Sequence, residues 1–168
     1  MSKKRLIERL NWYYPQERVH IFVTFPVLLL FLIFINPIKN IIFLAYGMIV
    51  CIVIQYQGPH YWKLKLQRLK GEKADNDKNF FSSKKINLLL IGLIPVFPFV
   101  QLFILNWNIR KNQLFFWAVL ANGFAVLEYI NYYHIQLMID NKYDFEYVIK
   151  YKILKKASLA KDLIEHKI

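Results

Sequence analysis

Four stretches of the chain, at about 19–36, 41–57, 86–107 and 113–139, are dominated by apolar side chains, and the segments around them are polar and basic. Rising 1.5 Å per residue, each is about long enough as a helix to cross roughly 30 Å of hydrocarbon. The pattern predicts an all-α integral membrane bundle of four transmembrane helices in a single domain. Only residues 37–40 separate the first two runs, which makes them an antiparallel hairpin, and 106–112 form a similar turn between the third and fourth. Pro95 and Pro98 lie in the middle of the third run. They predict a kink there, because each removes a backbone donor.

Apolar residues also recur at helical spacing between the runs. Leu6, Leu10 and Tyr13 share one side of residues 2–14, predicting a short interfacial helix that Pro15 ends. Gly58 and Pro59 are expected to end the second span, after which Trp62, Leu66 and Leu69 repeat the pattern. Residues 71–79 are polar and aperiodic and read as a loop, with Ser82 or Ser83 capping the third span. From Asp144 onward, Ile149, Ile153, Ala157, Ala160, Ile164 and Ile168 predict a basic amphipathic helix over 144–168. Interfacial helices would then stand at both termini.

Charge orients this arrangement. Of 23 Lys and Arg residues, five precede the first run, eight lie in 60–85 and seven in the tail, leaving only Lys39, Arg110 and Lys111 for the two short connections. Basic residues beside a span resist translocation, so both termini and the middle segment are expected on the cytoplasmic side of the cell membrane, against anionic lipid. A basic start before an apolar run is also how a secretory signal begins. Here no small-residue cleavage site follows and a second run comes at once, so the first is read as a retained span. The net charge of +12 would suit nucleic acid, but it flanks apolar runs and forms no soluble domain. Membrane lipid is the expected partner, with a partner membrane protein or a second copy of the chain as alternatives.

The chain is poor in recognisable chemistry. Its single cysteine, Cys51, falls inside the second run, so neither an intramolecular disulfide nor a multi-cysteine metal site is available. Nucleotide-cradling glycine motifs and the common zinc motifs are missing from the sequence, and no metal or cofactor is expected. Glu128 is the one acidic residue within the four runs. It would sit roughly 9 Å inside the hydrocarbon, where a carboxyl must face protein or water. Asn131 and Tyr132 share its helical face, Gln55 is a polar residue in the inner half of the second run, and His134 and His60 fall at the inner interface.

Two readings of these residues stand side by side. Glu128, Asn131, Tyr132, His134 and Gln55 form a ligand-binding pocket open to the cytoplasm, or Glu128 bonds to Gln55, Gln101 or a freed carbonyl and merely holds the bundle together. The string LEYINYYHIQL resembles, over about ten residues, the Asn-Tyr and His pattern near the end of membrane alkane hydroxylases. Those enzymes hold two irons with several clustered histidines. This chain has four histidines in all, dozens of residues apart, so the resemblance supplies neither a ligand set nor a family.

A faint repeat runs through the chain. The pair Phe25 and Pro26 ends 29 residues before the pair Gln55 and Tyr56 begins, while Phe97 and Pro98 end 30 before Glu128 and Tyr129 begin. Two parallel hairpins about an axis along the membrane normal would follow.

The leading expectation is a non-enzymatic module that binds lipid or a partner membrane protein at its cytoplasmic face. A lipid-modifying enzyme using Glu128 with His134 or His60 as acid and base is the first alternative, and an oligomeric pore the second. The orientation is open to direct measurement: a reporter fused at residue 76 or at the C-terminus should be active only inside the cell, and one at residue 110 only outside.

Overall fold

The computed structural model describes residues 3–72, 79–107, 114–139 and 141–165. They are helical throughout, apart from turns and one isolated antiparallel bridge between Ile135 and Lys156. Helix α1 (Lys3–Val19), a π turn (His20–Thr24) and α2 (Phe25–Ile35) run on without a break as one rod of 33 residues. Pro15 does not end the first helix as expected. It is exposed along with Asn11, so the carbonyl that it deprives of a donor stays accessible to polar surroundings. The π turn precedes Pro26, and the Phe25 N–H reaches back to the His20 carbonyl, five residues away. Widening the helix there accommodates a residue that can neither donate nor fit a normal turn.

Helix α3 (Ile38–Lys70) is a second rod of 33 residues, reached through Asn36 and Pro37 alone. The expected break at Gly58 and Pro59 is absent. Both residues are buried, and α3 packs buried side chains along its length from Ile41 to Leu64, so tertiary contact overrides their low helix propensity. Gly71, with φ of 83°, ends it in the left-handed conformation that favours glycine. The polar stretch 73–78 lies outside the described residues. Helix α4 (Asn79–Leu93) starts before Ser82 and Ser83, which are therefore interior rather than caps. It is bent by 42° from α5 (Val96–Ile104), with Pro95 at the joint as the sequence predicts.

Helix α6 (Phe115–Tyr133) ends six residues short of the expected boundary at 139. The Asn131 Oδ1 accepts the Leu137 N–H at 2.9 Å and turns the chain aside, after which residues 134–136 pair with 155–157. The single tail helix is likewise corrected. Helix α7 (Lys142–Tyr151) is closed by Lys152 at φ of 54°, an extended stretch follows, and α8 (Ser158–Ile164) begins afresh. The apolar series that suggested one helix therefore bridges two environments: Ile149, Ile153 and Ile164 are exposed, whereas Ala157 and Ala160 are buried.

Partner pairs define the packing. Glu17 meets Trp62 and Phe22 meets Tyr56, so the first rod and α3 are antiparallel. Tyr46 bonds the Leu90 carbonyl and Gln101 bonds residues 40 and 43, so α4 and α5 also run against α3. Asn122 bonds the Phe43 carbonyl and Tyr133 bonds Gln57, which makes α6 parallel to α3. The two helices of each hairpin that carry Gln55 and Glu128 thus lie side by side in the same sense, the disposition that the repeat requires.

Two rods, Lys3–Ile35 and Ile38–Lys70, are long and apolar enough to cross a membrane, and the bent α4–α5 pair makes a third if taken as one span. No residue of α2 is buried and Phe34 is 92% exposed. Apolar side chains such as Leu30, Leu89, Phe103 and Phe116 continue this surface around the bundle. Water would make so large an apolar surface unfavourable, and hydrocarbon would not.

Glycine sets the α3–α6 separation. A Cβ on Gly47 would stand 2.6 Å from the Asn122 Nδ2 and 2.9 Å from its backbone nitrogen, whereas one on Gly92 or Gly123 would meet nothing within 4 Å. Gly47→Ala should therefore destabilise the bundle by about 1–3 kcal/mol through overpacking. Gly92→Ala and Gly123→Ala should be neutral or mildly stabilising, the comparison being made by thermal unfolding in mild detergent.

Candidate functional site

The α3–α6 pair presents polar groups on two sides, and only one side is filled. Toward α4, the Tyr133 hydroxyl donates to the Gln57 Oε1, the Asn87 Nδ2 donates to the Tyr133 oxygen at 3.1 Å, and the Gln57 Nε2 donates to the Ile54 carbonyl at 2.9 Å. All three side chains are buried. At the far end, Gln101 accepts the Phe43 N–H at 2.9 Å and donates to the Asn40 carbonyl at 2.7 Å, fastening α5 to the first turn of α3. These contacts close polar groups on one another and leave no space for a ligand.

Toward α1 the same pair faces a cavity of about 850 Å³, enclosed by α1, the π turn, α3, α6 and the C-terminal segment. Ile21, Phe25 and Phe124 line its apolar end. Beside them stands a group of oxygens. The Glu128 carboxyl bonds with Asn131 and Gln55. Since the Asn131 Oδ1 is taken by the Leu137 N–H, the amide nitrogen is the atom left to meet Glu128. The Glu17 Oε1 accepts the Trp62 Nε1–H at 3.0 Å, while its Oε2 is buried with no hydrogen-bond partner among the described residues. A Cβ on Gly58 would fall 2.3 Å from the Tyr132 hydroxyl and 2.7 Å from the Glu17 Oε2, so glycine at this position leaves room for both oxygens. Glu17, Glu128 and Tyr132 are near enough to interact electrostatically.

The other end of the cavity is basic and aromatic. Arg9, Lys65, Lys155, Lys156 and Lys161 line it, with Tyr13, Tyr143 and Tyr147. Lys65 reaches the Tyr61 hydroxyl at 2.8 Å, Ser158 at 3.1 Å and Asp162 at 3.3 Å, pinning α8 to α3. Asp144 joins Lys155 at 2.6 Å, Gln136 at 2.8 Å and Arg9 at 3.8 Å, and Arg5 donates to the Tyr143 hydroxyl. The C-terminal segment is thus a floor under the cavity, tied to both α1 and α3.

No family model, curated protein or solved structure matches this chain.

Of the residues singled out from sequence, Glu128, Gln55, Asn131 and Tyr132 all line the cavity. His134 and His60 do not: His134 ends α6 beside the Tyr129 ring at 5.6 Å, and His60 stacks on Phe80 at 5.6 Å. Both are exposed. The two histidines that the sequence reading paired with Glu128 thus stand outside the cavity that holds it, whereas His20 lines it. Among the described residues no group of three or more His, Cys, Asp or Glu could hold a metal ion. Sequence reading missed Glu17, His20, Lys65 and Asp144, all of which line the cavity. Carrying the first helix past Pro15 would have brought Glu17 alongside the second.

Burial alone would raise the Asp144 pKa, but hydrogen bonds from Lys155, Gln136 and Asn141 and the Lys155 charge outweigh it and hold the carboxyl below the usual range. A carboxyl lowered on folding stabilises the docked segment fully above its ordinary value of about 3.9, and this contribution fades as pH falls through the lower folded value. Hydrogen-exchange protection over 134–157, relative to intrinsic rates at each pH, should therefore fall as the pH drops below about 4. Asp144→Asn should show faster exchange at neutral pH and lose this acid dependence.

Proposed function

We propose that the chain is a four-span membrane protein with both termini on the cytoplasmic side, and that it is a non-enzymatic module holding a lipid-class amphiphile in the α1–α3–α6 cavity. The cavity itself carries this reading. Its volume of about 850 Å³ falls in the range of roughly 300–1,000 Å³ usual for ligand sites, with apolar walls at one end and basic residues at the other. An acyl chain suits the first and an anionic headgroup the second.

The orientation is supported by where the charges lie. Arg9, Lys65 and Lys155, from three segments far apart in sequence, meet at one end of the bundle. With that end on the cytoplasmic side, the positive-inside rule is met by all three segments together. The parallel course of α3 and α6 agrees with a fourth span that crosses in the same direction as the second. The exposed apolar faces of all four rods then meet lipid.

Purification in mild detergent followed by mass spectrometry of bound lipids tests the reading. The wild-type protein should retain about one phospholipid per chain. Joint replacement Lys156→Glu and Lys161→Glu, at two exposed cavity-lining positions, should reduce retention of anionic species several-fold without unfolding the bundle. Recovery of no lipid from the wild type would refute the proposal. Conversion of added lipid to a product, abolished by Glu128→Gln, would establish the enzyme instead.

A further inference from the structure

The cavity is not neutral in its chemistry at the deep end. A lipid with only an acyl chain and an anionic headgroup satisfies the walls and the basic floor, yet it offers no donor to the one carboxyl oxygen left unmatched. Glu128 is already held by Gln55 and Asn131, and the Glu17 Oε1 by Trp62. The Glu17 Oε2 is the atom left over, buried and without a partner among the described residues. A buried acceptor without a donor is costly enough that native structures rarely keep one, and a carboxyl oxygen more so than most. The Tyr132 hydroxyl borders the same Gly58 surface, and the Glu128 charge acts on both groups.

What belongs there is a donor, and a positively charged one favours both carboxyls in their ionised form, because carboxylates sharing a site otherwise suppress one another's ionisation. A protonated primary amine meets the need. It brings three N–H donors and a charge in a compact group, against acceptors that are already assembled. We infer that the cavity selects an amphiphile bearing a primary amine, an aminophospholipid in class, with the amine on the Glu17 Oε2 beside Tyr132 and the phosphate toward the basic floor. Glu17 is then the residue that sets specificity. This rests on the lipid-binding reading and narrows it.

The test compares three phospholipids of identical acyl chains, carrying ethanolamine, choline or glycerol headgroups, added to the delipidated full-length protein and counted by native mass spectrometry. The ethanolamine lipid should bind at least ten-fold better than the choline lipid, which has the charge without N–H donors, and better than the glycerol lipid. Glu17→Gln keeps an acceptor for Trp62 and should lose at least five-fold of the ethanolamine preference while glycerol-lipid binding persists. Glu17→Asp, which keeps a carboxylate, should retain part of it. Equal binding of the three by the wild type, or an unchanged preference in a folded Glu17→Gln protein, would overturn the inference and leave lipid binding standing. Failure of the wild type to bind any of them would remove both. Should Glu17→Gln not accumulate, the wild-type headgroup comparison decides alone.

Discussion

The close approach of α3 to its neighbours is the constraint on which the rest of this fold depends. It is made at two glycines. Gly47 lets the Asn122 side chain lie against the α3 backbone and bond the Phe43 carbonyl at 2.8 Å, and Gly58 admits oxygens from both α1 and α6. Helices without a hydrophobic force between them associate through such small residues and a few polar contacts. An α3 that broke at Gly58 and Pro59 would have neither the reach to carry Trp62 to Glu17 nor the length to carry Lys65 to Asp162. The site exists because this helix continues.

The two sides of the α3–α6 pair invite comparison, since a helix distorted beside a proline packs against α3 on each side. On the α4 side Asn87, Tyr133 and Gln57 complete one another, so that side is structural in the plainest sense. On the α1 side the polar groups are comparable in number but incompletely matched, and a cavity takes the place of packed side chains. The difference bears on Glu128. Its bond to Gln55 is the structural contact that sequence reasoning weighed against a binding role, and the geometry is compatible with both: a carboxyl fixed by two amides also lines the cavity.

How much of this was legible depended on whether the signal was local. Two of the four expected spans, and a third if the bent α4–α5 pair is one, are long and apolar enough to cross a membrane, and the kink at Pro95 is present as expected. The helix ends were misjudged wherever packing outweighed local preference, as at Pro15 and Pro59, or wherever a side chain redirected the backbone, as Asn131 does after Tyr133. The tail was read as one helix because a periodic apolar series says nothing of the left-handed residue, Lys152, that interrupts it. In the site, Glu128 announced itself by being acidic within an apolar run. Glu17 and Asp144 gave no such signal, since an acidic residue in a charged segment acquires meaning only from what folds against it.

Helix α6 carries much of the site, yet it is not among the described helices that are long and apolar enough to cross a membrane. Its exposed face is Phe116, Trp117, Leu120, Phe124 and Leu127, and its buried face is Ala118, Asn122, Ala125, Tyr129 and Tyr132. Averaging over both faces lowers its apparent apolarity, although no polar side chain among the first set would meet lipid. A helix packed along α3 and bordering a cavity need be apolar only where it is not covered. The same covering that lets Asn122, Glu128 and Asn131 occupy this helix is what makes them informative: two buried oxygens, the Asn122 Oδ1 and the Glu17 Oε2, lack a partner among the described residues, and of the two it is Glu17 that lines the cavity, where something else has room to supply one.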